Sequence, residues 1–137
     1  KVYVMGSMQA YLPALQLQEE LCLAGKVILA PAIYSLQTEA ILHASEDDLF
    51  IIFSNSGQFF DRIFVNRENR NVMKIPKIWM ITGNTDLKED AMFNRIIYIP
   101  NNMHFEDHPL KFLLTANIIT LAYEEYIEKH PYYENKR

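Results

Sequence analysis

Residues 50–60 read FIIFSNSGQFF, and this stretch decides the fold. An apolar run from Leu49 to Phe53 stops at a polar knot, Ser54-Asn55-Ser56-Gly57, and a segment with a different period follows. A short continuous apolar run is the pattern of a parallel strand buried on both faces. Gly57 supplies backbone freedom where the chain must turn. Ser54 and Ser56 set two hydroxyls beside amides that, at the start of a helix, lack an intrahelical partner. Such amides, with the helix dipole, favour an anion, most often a phosphate. The stretch therefore predicts strand, anion loop, helix. Serines that merely cap the helix are the plainer account of the same residues.

Upstream, the apolar run at residues 2–5 ends at Gly6. Residues 11–24 have helical spacing, with Leu12, Leu15, Leu21 and Leu23 expected inward and Gln16, Gln18, Glu19 and Glu20 outward. Pro13 fits a first turn, and Gly25 lies just past the end. A second strand is expected at residues 27–30, stopped by Pro31, and a short helix at 36–44 behind Ser35. Glu46-Asp47-Asp48 makes a charged turn into the central strand. Downstream, Phe60, Ile63 and Phe64 place a helix over residue 58 to about residue 66. Residues 77–82, KIWMIT, form a fourth strand ended by Gly83-Asn84, and residues 87–93 a short helix or turn. A fifth strand is expected at 95–99, and residues 101–108 as loop. Pro109 starts a long helix to about Lys129, and Pro131 closes it.

Strand alternating with helix five times predicts an α/β fold, a three-layer α-β-α sandwich on a five-stranded parallel sheet in flavodoxin-like order. Residues 1–130 form the domain and 131–137 a tail. In such sheets ligands bind outside the carboxyl ends of the strands. That makes Gly6-Ser7-Met8-Gln9 and Ser54-Asn55-Ser56-Gly57 two walls of one pocket. The candidate ligand-binding residues are Gly6, Ser7, Gln9, Ser54, Asn55, Ser56, Gly57 and Gln58.

The 137 residues are 50% hydrophobic and 22% charged, as in an ordinary globular core. A net charge of -4 argues against nucleic acid binding by this segment itself. The single cysteine, Cys22, makes no internal disulfide, so a reducing, cytoplasmic setting is expected, with Cys22 in the core. No apolar run reaches the length of a membrane span. Gly6 is not followed by the Gly-x-Gly-x-x-Gly of a dinucleotide site, and no cofactor is expected. His104 and His108 lie four apart, but Pro109 argues against regular helix there, so no metal is expected. His43 reads as structural and Trp79 as core. The final helix carries Phe112, Leu113, Leu114, Ile118, Ile119, Leu121, Ala122 and Tyr123, which cover more than one face. A helix apolar nearly all round is buried on both sides. One side packs on the sheet, and the other predicts a homodimer.

The opening strand with its Gly/Ser loop, a helix ending in Gly, a strand, then DDLFIIFSNSG and KIWMITGN together resemble the SIS (sugar isomerase) domain. The likeness runs from Val2 to about Ile127 and is strongest at Asp48 to Gly57. The resemblance implies a phosphosugar held by the S-x-S-G loop and the loop after the first strand, and it implies dimers. The domain occurs in aldose-ketose isomerases and, behind a helix-turn-helix segment, in RpiR-type transcription regulators. A chain that opens at the first strand suits the sensing domain of such a regulator, with DNA bound only through a helix-turn-helix part elsewhere. Phosphosugar isomerisation is the alternative, with His104, Glu106 or Asp107 as the base. Departures from the pattern are Gln58-Phe59 after S-x-S-G, a single hydroxyl (Ser7) in the first loop, and His108-Pro109-Leu110-Lys111 where a Ser-Arg pair often opens the last helix.

Overall fold

The computed structural model describes residues 1–61, 76–89, 93–100 and 108–131. Four strands form one parallel sheet in sequence order: β1 (Val2–Gly6), β2 (Leu49–Phe53), β3 (Lys77–Thr82) and β4 (Arg95–Tyr98). Three helices accompany them: α1 (Tyr11–Leu23), α2 (Tyr34–Leu42) and α3 (His108–Lys129). The register aligns Val2 with Leu49 and Gly6 with Phe53, so β1 and β2 leave the sheet side by side. The continuous apolar runs behave as expected of central parallel strands. Phe50, Ile51, Ile52 and Phe53 are all buried, because each face of the sheet is covered.

The two faces carry separate cores. Met5, Phe50, Ile52, Ile78, Met80 and Ile96 point to one side, where Ile41 of α2 and Phe59 and Phe60 close over them. Val4, Ile51, Phe53 and Ile81 point to the other, against Ala14, Leu17 and Leu21 of α1 and Phe112 and Ala116 of α3. Tyr3 stacks on Phe50 at 4.7 Å between ring centroids, and Phe53 meets Phe112 at 5.6 Å. Ring pairs of this kind add about 1 kcal/mol beyond their buried area.

The expected five-stranded sheet is corrected to four. Residues 27–30 do lie beside β1, on the side away from β2, so their place in a flavodoxin-like order is kept. Their pairing is a single bridge, Tyr3 with Leu29, made by Leu29 N–H to the Val2 carbonyl (2.9 Å) and Val4 N–H to the Leu29 carbonyl (2.8 Å). In a parallel ladder the next donor on this segment would come from residue 31. Pro31 has no N–H, and the ladder stops there.

The packing of α1 also differs from expectation. Pro13, Ala14, Leu17 and Leu21 are buried, whereas Leu12, Leu15 and Leu23 are exposed. Small side chains at Ala14 and, on α3, Ala116 lie in the same buried cluster under the sheet. Glu20, expected in solvent, accepts hydrogen bonds from Thr120 Oγ1 (2.9 Å) and Gln16 Nε2 (2.6 Å), and so joins α1 to α3. Cys22, expected in the core, is exposed. Trp79, also expected in the core, is 36% exposed. It borders an apolar groove with Val2, Leu49, Ile119 and Tyr126. His43 caps the end of α2 and pairs with Glu39 across one turn.

The charged turn before β2 has one buried member. Asp48 Oδ2 accepts the Ser45 N–H (2.9 Å), and Oδ1 accepts the ammonium of Lys1 (2.7 Å). The ammonium, then the Ser45 amide, holds the Asp48 carboxyl below the ordinary carboxylate range. Of the helix expected after Gly57, the described part is a 3-10 turn at Phe59–Asp61. Ile63 and Phe64, the stretch 101–107 and the tail from 132 lie outside the described residues. The long last helix runs as expected, except that His108 already belongs to it. Among the described residues, no helix is long and apolar enough to cross a membrane.

Candidate functional site

The carboxyl edge of the sheet carries the candidate residues on two loops, because β1 and β2 end level with each other. In the second loop, Ser54 N–H donates to the Ile81 carbonyl (2.9 Å), so pairing with β3 continues one residue past β2. The chain then turns back. Gly57 N–H donates to the Ser54 carbonyl (3.1 Å), and Gly57 takes φ 74°. That positive φ is the reason a glycine stands here. The Gly57 amide is thus spent on the turn. The Gln58 amide faces Ser56 Oγ at 3.3 Å, a local serine bond of the helix-cap type.

This bend is fastened to the end of β3. Thr82 is fully buried. Its hydroxyl donates to the Asn55 carbonyl (3.2 Å) and accepts the Asn84 N–H (3.0 Å). Gly83 N–H donates to the same Asn55 carbonyl (3.2 Å), and Asn84 Nδ2 donates to the Ser56 carbonyl (2.9 Å). Thr82-Gly83-Asn84, expected only as a turn, is therefore a staple for the serine loop. Ser54 is buried at 6% exposure, and among the described residues its hydroxyl has no hydrogen-bond partner. Ser56 and Gln58 are exposed, and Asn55 and Gly57 half-buried.

The first loop is built differently. After Gly6 the chain enters a 3-10 turn, Met8–Ala10, closed by Ala10 N–H to the Ser7 carbonyl (3.1 Å). Gly6 is packed so tightly that a Cβ there would stand 2.1 Å from the Ala10 carbonyl oxygen. Met8 holds φ 55°, a conformation that L-residues other than Gly, Asn and Asp seldom adopt. Ser7 is half-buried and its side chain makes no capping bond.

A cavity of about 340 Å³ opens beside this loop, lined by Gly6, Ser7, Met8 and Tyr11 on one side and by Ala32, Tyr34, Gln37 and Phe59 on the other. Gln37 is the residue that sequence reasoning missed. It is 3% exposed, and its Nε2 donates to the carbonyls of Gly6 (3.0 Å) and Pro31 (3.0 Å). It thereby ties α2 to the ends of β1 and of the bridged segment. The available signal was its place four residues before Ile41, on the stripe of α2 that faces the core. Tyr11 completes the frame by donating its hydroxyl to the Ala30 carbonyl (3.1 Å).

The two loops are neighbours, as expected, but they do not face each other across this cavity. Gly6 and Ser7 line it, and the opposite wall is α2 and Phe59. Ser54, Asn55, Ser56, Gly57 and Gln58 form the adjoining bend, and Gln9 is exposed outside the lining. His104, Glu106 and Asp107 lie outside the described residues.

No protein-family model and no curated sequence matches the chain. Solved structures do. A Bacteroides fragilis protein described as a candidate phosphosugar isomerase involved in capsule formation is similar at TM-score 0.74 and 17% identity. The match covers 93% of this chain and 70% of that one. The protein c3406 of Escherichia coli CFT073, solved in complex with a sugar phosphate, is similar at TM-score 0.70 and 18% identity, over 93% of this chain and 71% of that one. The NanR protein of Vibrio vulnificus, complexed with ManNAc-6P, is similar at TM-score 0.65 and 14% identity. The match there takes in 98% of this chain but 51% of NanR. At these identities the likeness shows the fold: a parallel α/β domain of the kind found in sugar-phosphate proteins.

Proposed function

We propose that this chain is a sugar-phosphate-binding SIS-type domain, acting as the ligand-sensing and dimerising part of an RpiR-type transcription regulator. The observation that carries the reading is the level exit of β1 and β2. It sets Ser7 beside the Ser54–Gly57 bend at the edge where parallel sheets bind ligands. The buried Ser54 hydroxyl and the exposed Ser56 hydroxyl are the groups that would meet phosphate oxygens. The cavity beside Ser7 would take the rest of the sugar. The likeness to folds solved with sugar phosphates, ManNAc-6P among them, supports the same ligand class. The residues that line the cavity offer hydroxyls, an amide and aromatic rings, which hold a ligand rather than move its protons.

The outward face of α3 supports the dimer. Leu110, Leu114, Ile118 and Leu121 form one exposed aliphatic stripe, at 70%, 62%, 56% and 56% exposure, with Leu12 and Leu15 exposed on the adjacent α1. Contiguous apolar surface of this kind marks a partner site. A ligand that binds one dimer geometry better than another would shift a DNA-binding part held elsewhere in the protein.

The test is a thermal-shift and titration screen of sugar phosphates, with Ser54→Ala and Ser56→Ala as controls. A specific ligand raises the melting temperature by linkage, and both substitutions weaken the response. No shift with any sugar phosphate sinks the reading. Turnover of an aldose phosphate to its ketose, lost on His104→Ala or Glu106→Ala, replaces the sensor with an isomerase. The likeness to the Bacteroides fragilis protein keeps that reading in view.

A further inference from the structure

The unexplained polar group at this edge is the side-chain oxygen of Gln37. Its amide orientation is decided by its partners. The two atoms within 3.0 Å of the Nε2 end, Gly6 O and Pro31 O, are both carbonyl oxygens and both require a donor. Turning the amide over would set Oε1 against two carbonyls. With both Nε2 hydrogens spent, Oε1 is an acceptor on a side chain only 3% exposed. Among the described residues no group donates to it. Buried acceptors are nearly always satisfied, and one left over beside a cavity asks for a donor from whatever fills that cavity.

The rest of the lining narrows what that filling is. None of the residues around the cavity carries a charge. The backbone oxygens of Gly6 and Pro31 and the Gln37 amide oxygen make the Gln37 side of it an acceptor-rich wall. An anion gains nothing there, since like partial charges repel across a few ångströms. The wall opposite is apolar and aromatic, from Met8, Tyr11 and Phe59, and a volume of about 340 Å³ suits a monosaccharide-sized group.

We infer that this cavity selects the neutral end of the ligand: an N–H or O–H donor directed at Gln37 Oε1, flanked by a short apolar group, as in an N-acylated amino sugar. The donor satisfies Oε1, and the acyl methyl packs on Met8 and Phe59. The inference rests on the sugar-phosphate reading, because it assigns the phosphate to the serine bend and the acylamino group to the cavity. Gln37 is then a specificity residue, distinct from the hydroxyls that hold phosphate.

The experiment compares affinities within two ligand series by titration calorimetry. N-acetylmannosamine 6-phosphate and N-acetylglucosamine 6-phosphate are set against mannose 6-phosphate, glucose 6-phosphate and 2-deoxyglucose 6-phosphate. At least one acetamido sugar is expected to bind about tenfold more tightly than the 2-deoxy compound, the worth of one neutral hydrogen bond. Gln37→Met keeps the length of the side chain and removes the acceptor. It is expected to bring that ratio close to one while the 2-deoxy compound still binds. A general loosening of the loop would weaken every ligand alike and leave the ratio intact. Should Gln37→Met fold poorly, the ratio on the unaltered chain still decides. Equal affinity across both series, or a ratio untouched by Gln37→Met, overturns the role of Gln37 and leaves the sugar-phosphate reading standing. Failure of every compound to bind overturns both.

Discussion

The two loops at the carboxyl edge use glycine for opposite reasons. In the loop after β1, Gly6 is needed for space: the Ala10 carbonyl occupies the place of a Cβ. In the loop after β2, Gly57 is needed for its backbone angle, and a Cβ would meet nothing closer than 3.3 Å. The first loop puts its own positive φ on Met8, a residue that pays for it in strain. The second loop is fastened from β3 by Thr82 and Asn84, the first from α2 by Gln37. One loop is relaxed and stapled, the other crowded and strained. Strain of this kind tends to gather where a protein binds something.

Four substitutions can break or sharpen that contrast. Gly6→Ala is the most severe, because the obstruction is backbone and cannot swing away. We expect a loss of about 3 kcal/mol in chemical denaturation, the upper end for overpacking. A loss below about 1 kcal/mol would show the first loop to be looser than described. Gly57→Ala should cost about 1–2 kcal/mol, the penalty of a left-handed residue, with little from packing. If Gly57→Ala were the worse of the two, the roles of the glycines would be reversed. Thr82→Val removes one donor and one acceptor from the staple at nearly constant volume. It should cost about 1 kcal/mol and speed amide exchange at Asn84 but not at Ala10. Met8→Gly is expected to go the other way. Relief of its φ exceeds the added entropy of the unfolded chain, for a gain of less than about 1 kcal/mol. A loss of stability there would mean that Met8 packs more than it strains.

Much of this edge could be read from the residues alone. Leu49 to Phe53 announced a buried parallel strand because no polar side chain interrupts it, and Gly57 announced the turn. The missing fifth strand could not be read so directly. Residues 27–30 have strand composition, but the absence of a donor at Pro31 matters only once the register with β1 is known. The inward face of α1 was misjudged because leucine was ranked above alanine. Contact with the sheet selected Ala14, and left Leu12, Leu15 and Leu23 outside. Gln37 escaped notice for a related reason. A glutamine on a core stripe reads as solvent-facing until two backbone carbonyls with no other donor are found beside it. The serine bend was legible as a motif, whereas its fastening by Thr82 required the register of β2 and β3.

Every strand in the sheet runs the same way, which has a consequence for how the chain is made. On its inner side β1 can be paired only when residues 49–53 have left the ribosome, because its partner is β2 and no hairpin is available to it. Until then Val4 and Met5 have no strand to shield them on that side. Phe112, the lid over Phe53, is synthesised later still. Nascent chains stalled before residue 49 should therefore be poorly protected and reliant on chaperones, and maturation after release should be slow for so small a domain.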